Sequence, residues 1–427
     1  MTARRGLGRS LQQYREYFWD GISATAALIG RRRRWTMRPS SPAPAPLRIA
    51  YVINSMEGGG ASAPIAAITE VLRKCGAEVR VFALCRRDGR GIPALQVADI
   101  PVDVRDGAES DHLSAFRWLL ARLRDYRPTL LWTSLTRATL LGQLAGQWLH
   151  LPVVSWQHAA YLKPANRRLL RASHAFSTLW VADSDVVADF TVERLGVSPQ
   201  RLVSWPIFRA DPAARRAAPG TQGRRLRIGS LGRLHRVKGY DTLLLAAASL
   251  RALAIDFELE IAGEGRERSA LEKQAADLGL DNVVFSGFAT DAQTFLASLD
   301  LYVQPSRSEG FCIAAHEAMQ AGLPVIASAV GELARSISPG VTGELVPPDQ
   351  PDLLAIKLGL LLNDTARLAR MGEEARRQTV TRFGPSAFEA AGRAALDCLF
   401  SLAALPAVEP VRAEPLSPDP ERTALSA

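Results

Sequence analysis

"LRIGSLGRLHRVKGYD", residues 226 to 241, holds a strand, a glycine turn and the start of a helix in sixteen residues. The apolar run from Leu226 has strand length, and Gly229 and Gly232 let the backbone come close to a ligand. From Tyr240 the stretch "YDTLLLAAASLRAL" (240 to 253) has helical spacing. The same grammar occurs earlier. "LRIAYVIN" (47 to 54) leads into "SMEGGGASAP" (55 to 64), after which Ile65, Ile68, Leu72 and Cys75 recur at helical spacing until Gly76 stops the helix.

Working outward from the two starts, strands are predicted at 78–84, 129–134, 152–157 and 177–184 in the first half. The second half adds 257–263, 282–287, 299–306, 324–328 and 343–348, with a helix at 266–279. Strands alternating with helices give a parallel sheet covered on both faces. The expected fold class is therefore α/β, two doubly wound Rossmann-like domains facing each other across a cleft lined by strand carboxyl ends. The boundaries read as a basic, proline-rich arm (1–46), a first domain (47–205) and a second domain (206–383). A helix returning to the first domain (384–402) and a tail (403–427) follow, and 205–224 is the expected interdomain linker.

Composition narrows the class. The 427 residues are 47% apolar with a net charge of +9. Nine arginines against Glu16 and Asp20 put most of that charge in residues 1 to 46, leaving +2 for the other 381. A nucleic-acid footprint across the folded body is thus not indicated. No run of 18 apolar residues appears, so no helix is expected to span a membrane. Tyr14, Tyr17, Phe18 and Trp19 beside the arginines would suit an anionic membrane surface, and the same composition fits a disordered arm. Cys75, Cys85, Cys312 and Cys398 show no paired spacing, and Cys75, Cys85 and Cys312, in apolar segments, read as reduced core thiols of a cytoplasmic protein.

The chemistry concentrates in the second domain. Arg233 and Lys238, beside a glycine turn and a helix start, suit a diphosphate; alone, two solvated surface cations would read the same. "AGEG" (262 to 265) ends the next strand in another turn of small residues. "SEGFCIAAHEAMQAGLPVIAS" (308 to 328) sets Glu309 in a loop and Glu317 in a short apolar helix expected to start near Phe311. A buried carboxylate needs a polar partner. Vicinal hydroxyls supply one, so Glu317 suits a ribose and Glu309 a sugar. Ribose, diphosphate and sugar together make a nucleotide-sugar.

"GRLHRVKGYD", "IAGEG", "PSRSEGFCIAAHEAMQAGLPVIAS" and "TGELVPP" resemble the retaining glycosyltransferases of family 4, which have the GT-B fold. The resemblance covers roughly residues 47 to 400 and is dense from 226 to 350. It implies that Arg233 and Lys238 bind the donor diphosphate, with Gly232, Gly263 and Gly265 in the turns around it. It implies that Glu317 holds the ribose and Glu309 the donor sugar, with the amides of Gly310, Phe311 and Cys312 along sugar and phosphates. Gly59 and Gly60 would line the facing wall, and His158 would sit beside the transferred sugar. Retention implies that the departing phosphate oxygen helps deprotonate the acceptor, so no enzyme nucleophile is assigned. Relatives often carry Asn-Gly-Val-Asp where "WPIFRADP" (205 to 212) stands, which puts the interdomain contact there in question. Thr342 replaces a frequent asparagine.

No cofactor and no metal are expected. The one Asp-x-Asp triplet, "DSD" (183 to 185), reads as a strand end whose Ser184 or Asp185 caps the next helix. "GGGASA" (58 to 63) offers a competing dinucleotide-binding reading, but "CRRD" (85 to 88) places arginines where an acidic residue is needed. A non-catalytic nucleotide-sugar-binding protein is the other alternative. The acceptor is expected to be a glycan or glycolipid of lipopolysaccharide or exopolysaccharide synthesis, met by Lys163, Arg167, Arg168 and Arg171. The same residues also fit a solvated helix face.

Overall fold

The computed structural model describes residues 46 to 218 and 225 to 403. The expectations for the arm (up to residue 45), for 219–224 of the linker, and for the tail from 404 lie outside the described residues.

Seven strands form the first sheet: β1 Leu47–Ile53, β2 Ala77–Ala83, β3 Val102–Val104, β4 Leu130–Ser134, β5 Val153–Gln157, β6 Leu179–Ala182 and β7 Leu202–Ser204. They run parallel in the order β3-β2-β1-β4-β5-β6-β7. Six more form the second: β8 Leu226–Leu231, β9 Phe257–Ala262, β10 Val283–Gly287, β11 Leu301–Gln304, β12 Val325–Ser328 and β13 Gly343–Val346. Their order is β10-β9-β8-β11-β12-β13, again parallel. In both sheets the order reverses beside the first strand, β1 or β8. Ligands bind at that switch point, outside the carboxyl ends of the strands. The fold is α/β with two Rossmann-like domains. Two edge strands escaped the sequence reading. "VDV" and "LVS" are three residues each, too short to show a period.

The central strands are buried on both faces and read as continuous apolar runs, as a helix-covered parallel sheet requires. Trp132, Trp156 and Trp205 pack together in the first domain, with ring centroids 5.1 to 5.9 Å apart. Phe388, on the helix Pro385–Ala403, completes this cluster 5.4 Å from Trp205. A Cβ on Gly392 would stand 2.6 Å from both the Trp205 ring and Val71. That close approach is why the helix carries glycine there, and it brings the helix onto the first domain.

The start of the expected linker is built into the core. Trp205, Ile207, Phe208 and Ala210 are buried in the first domain's core. The Ala210 amide donates to Phe383 O at 2.7 Å, and the Asp211 amide to Gln320 Oε1 at 2.6 Å. Phe208 packs against Phe311 at 6.1 Å and Phe383 at 6.2 Å. The residues that replace Asn-Gly-Val-Asp therefore fill the junction with aromatic surface. All four cysteines are free thiols.

Candidate active site

The two glycine turns of the second domain interlock. The Gly232 amide donates to Ala262 O, and the Leu234 amide to Glu264 O, each at 2.9 Å. Gly263, at φ +148°, would place a Cβ 1.9 Å from Gly232 O; Gly265, at φ +159°, would place one 2.2 Å from Leu234 O. Backbone packing alone demands glycine at both positions. Gly232 is constrained in turn by the Tyr240 hydroxyl, 2.8 Å from where its Cβ would be. Gly239, left-handed at φ +69°, then opens the helix Tyr240–Ala252.

Lys238 lies just before that helix, and its ammonium meets Glu309 Oε1 at 2.7 Å. The Lys238 side chain is 22% exposed and that of Glu309 10%, so solvent screens the pair little. Burial pulls the ammonium's pKa down, but the Glu309 carboxylate together with neighbouring Cys312 and Tyr240 leaves the group above the ordinary lysine range. Ser306 Oγ donates to the same Oε1 at 2.6 Å, and Gln304 Nε2 approaches it at 3.5 Å. Tyr302 OH in turn donates to Gln304 Oε1 at 2.8 Å. Three donors thus converge on one carboxylate oxygen, and the Cys312 thiol lies beside the same carboxylate.

The helix predicted from Phe311 begins two residues later, at Ile313. Cys312 is left-handed at φ +66°, a conformation that breaks the helical path for a residue with a side chain. Phe311 turns its ring inward, stacked on His316 at 4.1 Å and edge-on to Phe383 at 5.2 Å. With that ring anchored, the amides of Gly310, Phe311 and Cys312 find no protein acceptor among the described residues. Open amides at a helix N-terminus favour an anion. Glu317 lies one turn into the helix on the face of Ile313, whose Cδ1 is 3.5 Å from where a Cβ on Gly60 would be. No donor among the described residues meets the Glu317 carboxylate, and burial raises its pKa. Gly59 is left-handed at φ +143° with open space beside it.

The first domain closes the site at His158. Its carbonyl oxygen would be 2.2 Å from a Cβ on Gly310. Its ring is held between Ser134 Oγ at 2.6 Å and Asp183 Oδ2 at 3.2 Å. Arg233 stands apart from Lys238 and Glu309. It is 61% exposed, 3.5 Å from Glu57 of the first domain. The triplet at 183 to 185 is divided between tasks. Ser184 caps the helix Asp185–Leu195 by accepting from the Val187 amide, and Asp185 accepts from Ser204 Oγ. On the helix Pro164–Ser173, the exposed Arg167, Arg168 and Arg171 follow the exposed Lys163.

Sequence reasoning missed the residues that hold the site residues: Gln304, Ser306, Ser134, Asp183 and Glu57. Only Ser306, three positions before Glu309, and Asp183, in the "DSD" triplet, carried a local signal.

Two family models divide the chain between them. Residues 58–208 match Glycosyltransferase Family 4, and residues 213–378 match Glycosyl transferases group 1. The chain belongs to the family 4-like glycosyltransferases of GT-B fold. It is 29% identical over 253 residues to the MMP alpha-(1->4)-mannosyltransferase of Mycolicibacterium hassiacum, covering 58% of this chain and 59% of that one. With the lipopolysaccharide core biosynthesis mannosyltransferase LpcC of Rhizobium leguminosarum it shares 30% identity, over 53% of this chain and 64% of the relative. The chain thus spans little more than half the length of these curated relatives. The crystal structure of Anabaena HepE in complex with UDP and glucose superposes with a TM-score of 0.72 at 22% identity, over 82% of this chain and 99% of that one.

In this GT-B chain the Gly310–His158 contact makes a sharp prediction. Gly310→Ala forces its methyl group against the His158 carbonyl. The domains should separate slightly at the site, at a strain of about 1–3 kcal/mol. Turnover should fall about tenfold or more while the circular dichroism spectrum stays unchanged. Wild-type turnover in the alanine variant would show that the contact is not needed for the reaction.

Proposed function

We propose that this protein transfers a sugar, with retention of configuration, from a nucleotide-sugar donor to a glycan or glycolipid acceptor. The observation that carries this reading is the convergence of Lys238, Ser306 and Gln304 on one oxygen of Glu309, beside the open amides of 310–312 and the unpartnered Glu317. That set offers a cation and N–H donors to a diphosphate and carboxylate acceptors to hydroxyls. In the mechanism this implies, the Lys238 ammonium and the amides stabilise the charge that grows on the leaving diphosphate. Glu309 Oε2 and Glu317 orient sugar and ribose through charge-assisted hydrogen bonds. Membership of a family of transferases and likeness to the two mannosyltransferases support sugar transfer over nicotinamide chemistry.

The lipopolysaccharide mannosyltransferase relative and the basic face from Lys163 to Arg171 favour a polysaccharide or glycolipid acceptor bearing acidic groups. Among the described residues no helix is long and apolar enough to cross a membrane. We assign the chain to the cytoplasmic side, with peripheral contact to an anionic surface.

The donor is identified by calorimetric titration of nucleoside diphosphates and their sugars, and the stereochemistry by proton NMR of the product anomer. An inverted product, or no binding of any nucleoside diphosphate, would refute the reading. Leaving-group stabilisation by Lys238 and backbone amides uses no metal ion. Activity should therefore survive chelator, and abolition by chelator with rescue by a divalent ion would refute this mechanism.

A further inference from the structure

Ser134, His158 and Asp183 stand at the carboxyl ends of β4, β5 and β6, three neighbouring parallel strands. The register sets Ser134 beside Trp156 and Gln157 beside Ala182, which brings the three side chains into one line. His158 Nε2 is 2.6 Å from Ser134 Oγ, and Nδ1 is 3.2 Å from Asp183 Oδ2. The imidazole lies flat against Trp156, with centroids 5.8 Å apart and planes 16° apart.

Asp183 is 2% exposed, and no donor among the described residues meets its Oδ1. Apart from its own backbone amide, its side chain has one partner among the described residues, the imidazole. A carboxylate buried with so little compensation is costly, and burial raises its pKa against the pull of the His158 N–H. Asparagine would fill the same space without that penalty, so the acceptor-only chemistry of a carboxylate has a use here.

The arrangement is not built for a serine nucleophile, because Ser134 is 0% exposed. What the line fixes is the ring between its two ends. The turn that follows is tied to it. Gln157 Nε2 donates to Ala159 O at 2.7 Å, and the His158 carbonyl abuts Gly310 of the donor loop.

We propose that Asp183 is a positioning residue for the transfer reaction. It holds His158 in the Nδ1-protonated tautomer, so that Nε2 accepts from Ser134 and the 158–159 turn is set against Gly310. An acceptor-only group at Nδ1 is what dictates the tautomer. The kinetic part of this assignment rests on the sugar-transfer reading above.

The test uses the full chain labelled with 15N-histidine. His158 signals are identified by their loss in His158→Gln. In the wild type Nδ1 should carry the proton and Nε2 should not. In Asp183→Asn the carboxamide NH2 can donate to Nδ1, so the shifts should report the opposite tautomer. Turnover should fall about a hundredfold with donor KM within about twofold, and adding Asp183→Asn to His158→Gln should lower kcat no further. An unchanged tautomer in Asp183→Asn overturns the proposal, and so do multiplicative kinetic losses in the double variant. Should Asp183→Asn fail to fold, Ser134→Ala decides instead. Its Nδ1 must stay protonated, because Asp183 alone would hold it. A wild type that turns over no sugar donor would sink the transferase reading, whereas the nitrogen shifts judge Asp183 independently of activity.

Discussion

Lys238→Ala is expected to lower turnover about a hundredfold, close to 3 kcal/mol of transition-state stabilisation. The ammonium sits 2.7 Å from Glu309 in a site with little solvent, where a charge aimed at the leaving group acts at low screening. Ground-state donor binding should weaken far less, because the amides of 310–312 and Glu317 remain in place. Lys238→Arg should not rescue activity, since a planar fork cannot replace a point charge against the single Oε1. Arg233→Ala sets the scale. That side chain is largely exposed and already faces Glu57, so its loss should cost about tenfold at most. Steady-state kinetics with the donor found by calorimetry measures both variants. Equal losses would show that Arg233 swings into the site on binding; an unaffected Lys238→Ala would remove the leaving-group role assigned to the ammonium.

The contrast between these two cations shows how far sequence reaches. Both stand in "GRLHRVKGYD" and looked alike as side chains beside a glycine turn. Their difference arises in the tertiary structure. Lys238 is delivered to a carboxylate 71 positions away, whereas Arg233 meets an acid from the other domain. The strand–turn–helix starts at 47 and 226 were legible because they repeat a local grammar in continuous apolar runs. The edge strands β3 and β7 were not, because three residues carry no period. The helix start was misplaced by two residues because a left-handed cysteine has no residue-type signal; a glycine there would have announced the break. The start of the interdomain linker also belongs to the core, which the sequence did not announce, because Trp205 and Phe208 pack on helices nearly 180 residues further on. Asp183 lay in plain view in the "DSD" triplet. Its pairing with His158 depends on strand order, which no short motif encodes.

Glu317→Gln should raise the stability of the ligand-free protein and weaken its hold on the donor. The stability sign follows from the pKa. Burial raises the folded-state value of Glu317 above the ordinary carboxylate value, so between the two the folded state binds more protons than the unfolded one. Stability therefore falls as pH rises through that window, and at neutral pH the ionised, unpartnered carboxylate destabilises the empty site. The amide carries no such penalty, so its Tm at pH 7 should exceed that of the wild type. The difference should vanish below the unfolded pKa, where both side chains are neutral. Ligand binding reverses the ranking. On the proposed ribose assignment, two charge-assisted bonds become neutral ones in the glutamine variant, and in Glu317→Ala they are lost entirely, at roughly 2–4 kcal/mol of donor affinity. The wild type should accordingly gain more Tm than the glutamine variant when saturated with nucleoside diphosphate. Calorimetric unfolding of both proteins across pH, with and without nucleotide, reads all three effects. A glutamine variant that is less stable when empty would mean that the carboxylate already has a partner in the resting protein. One that binds nucleotide as tightly as the wild type would take the ribose away from Glu317.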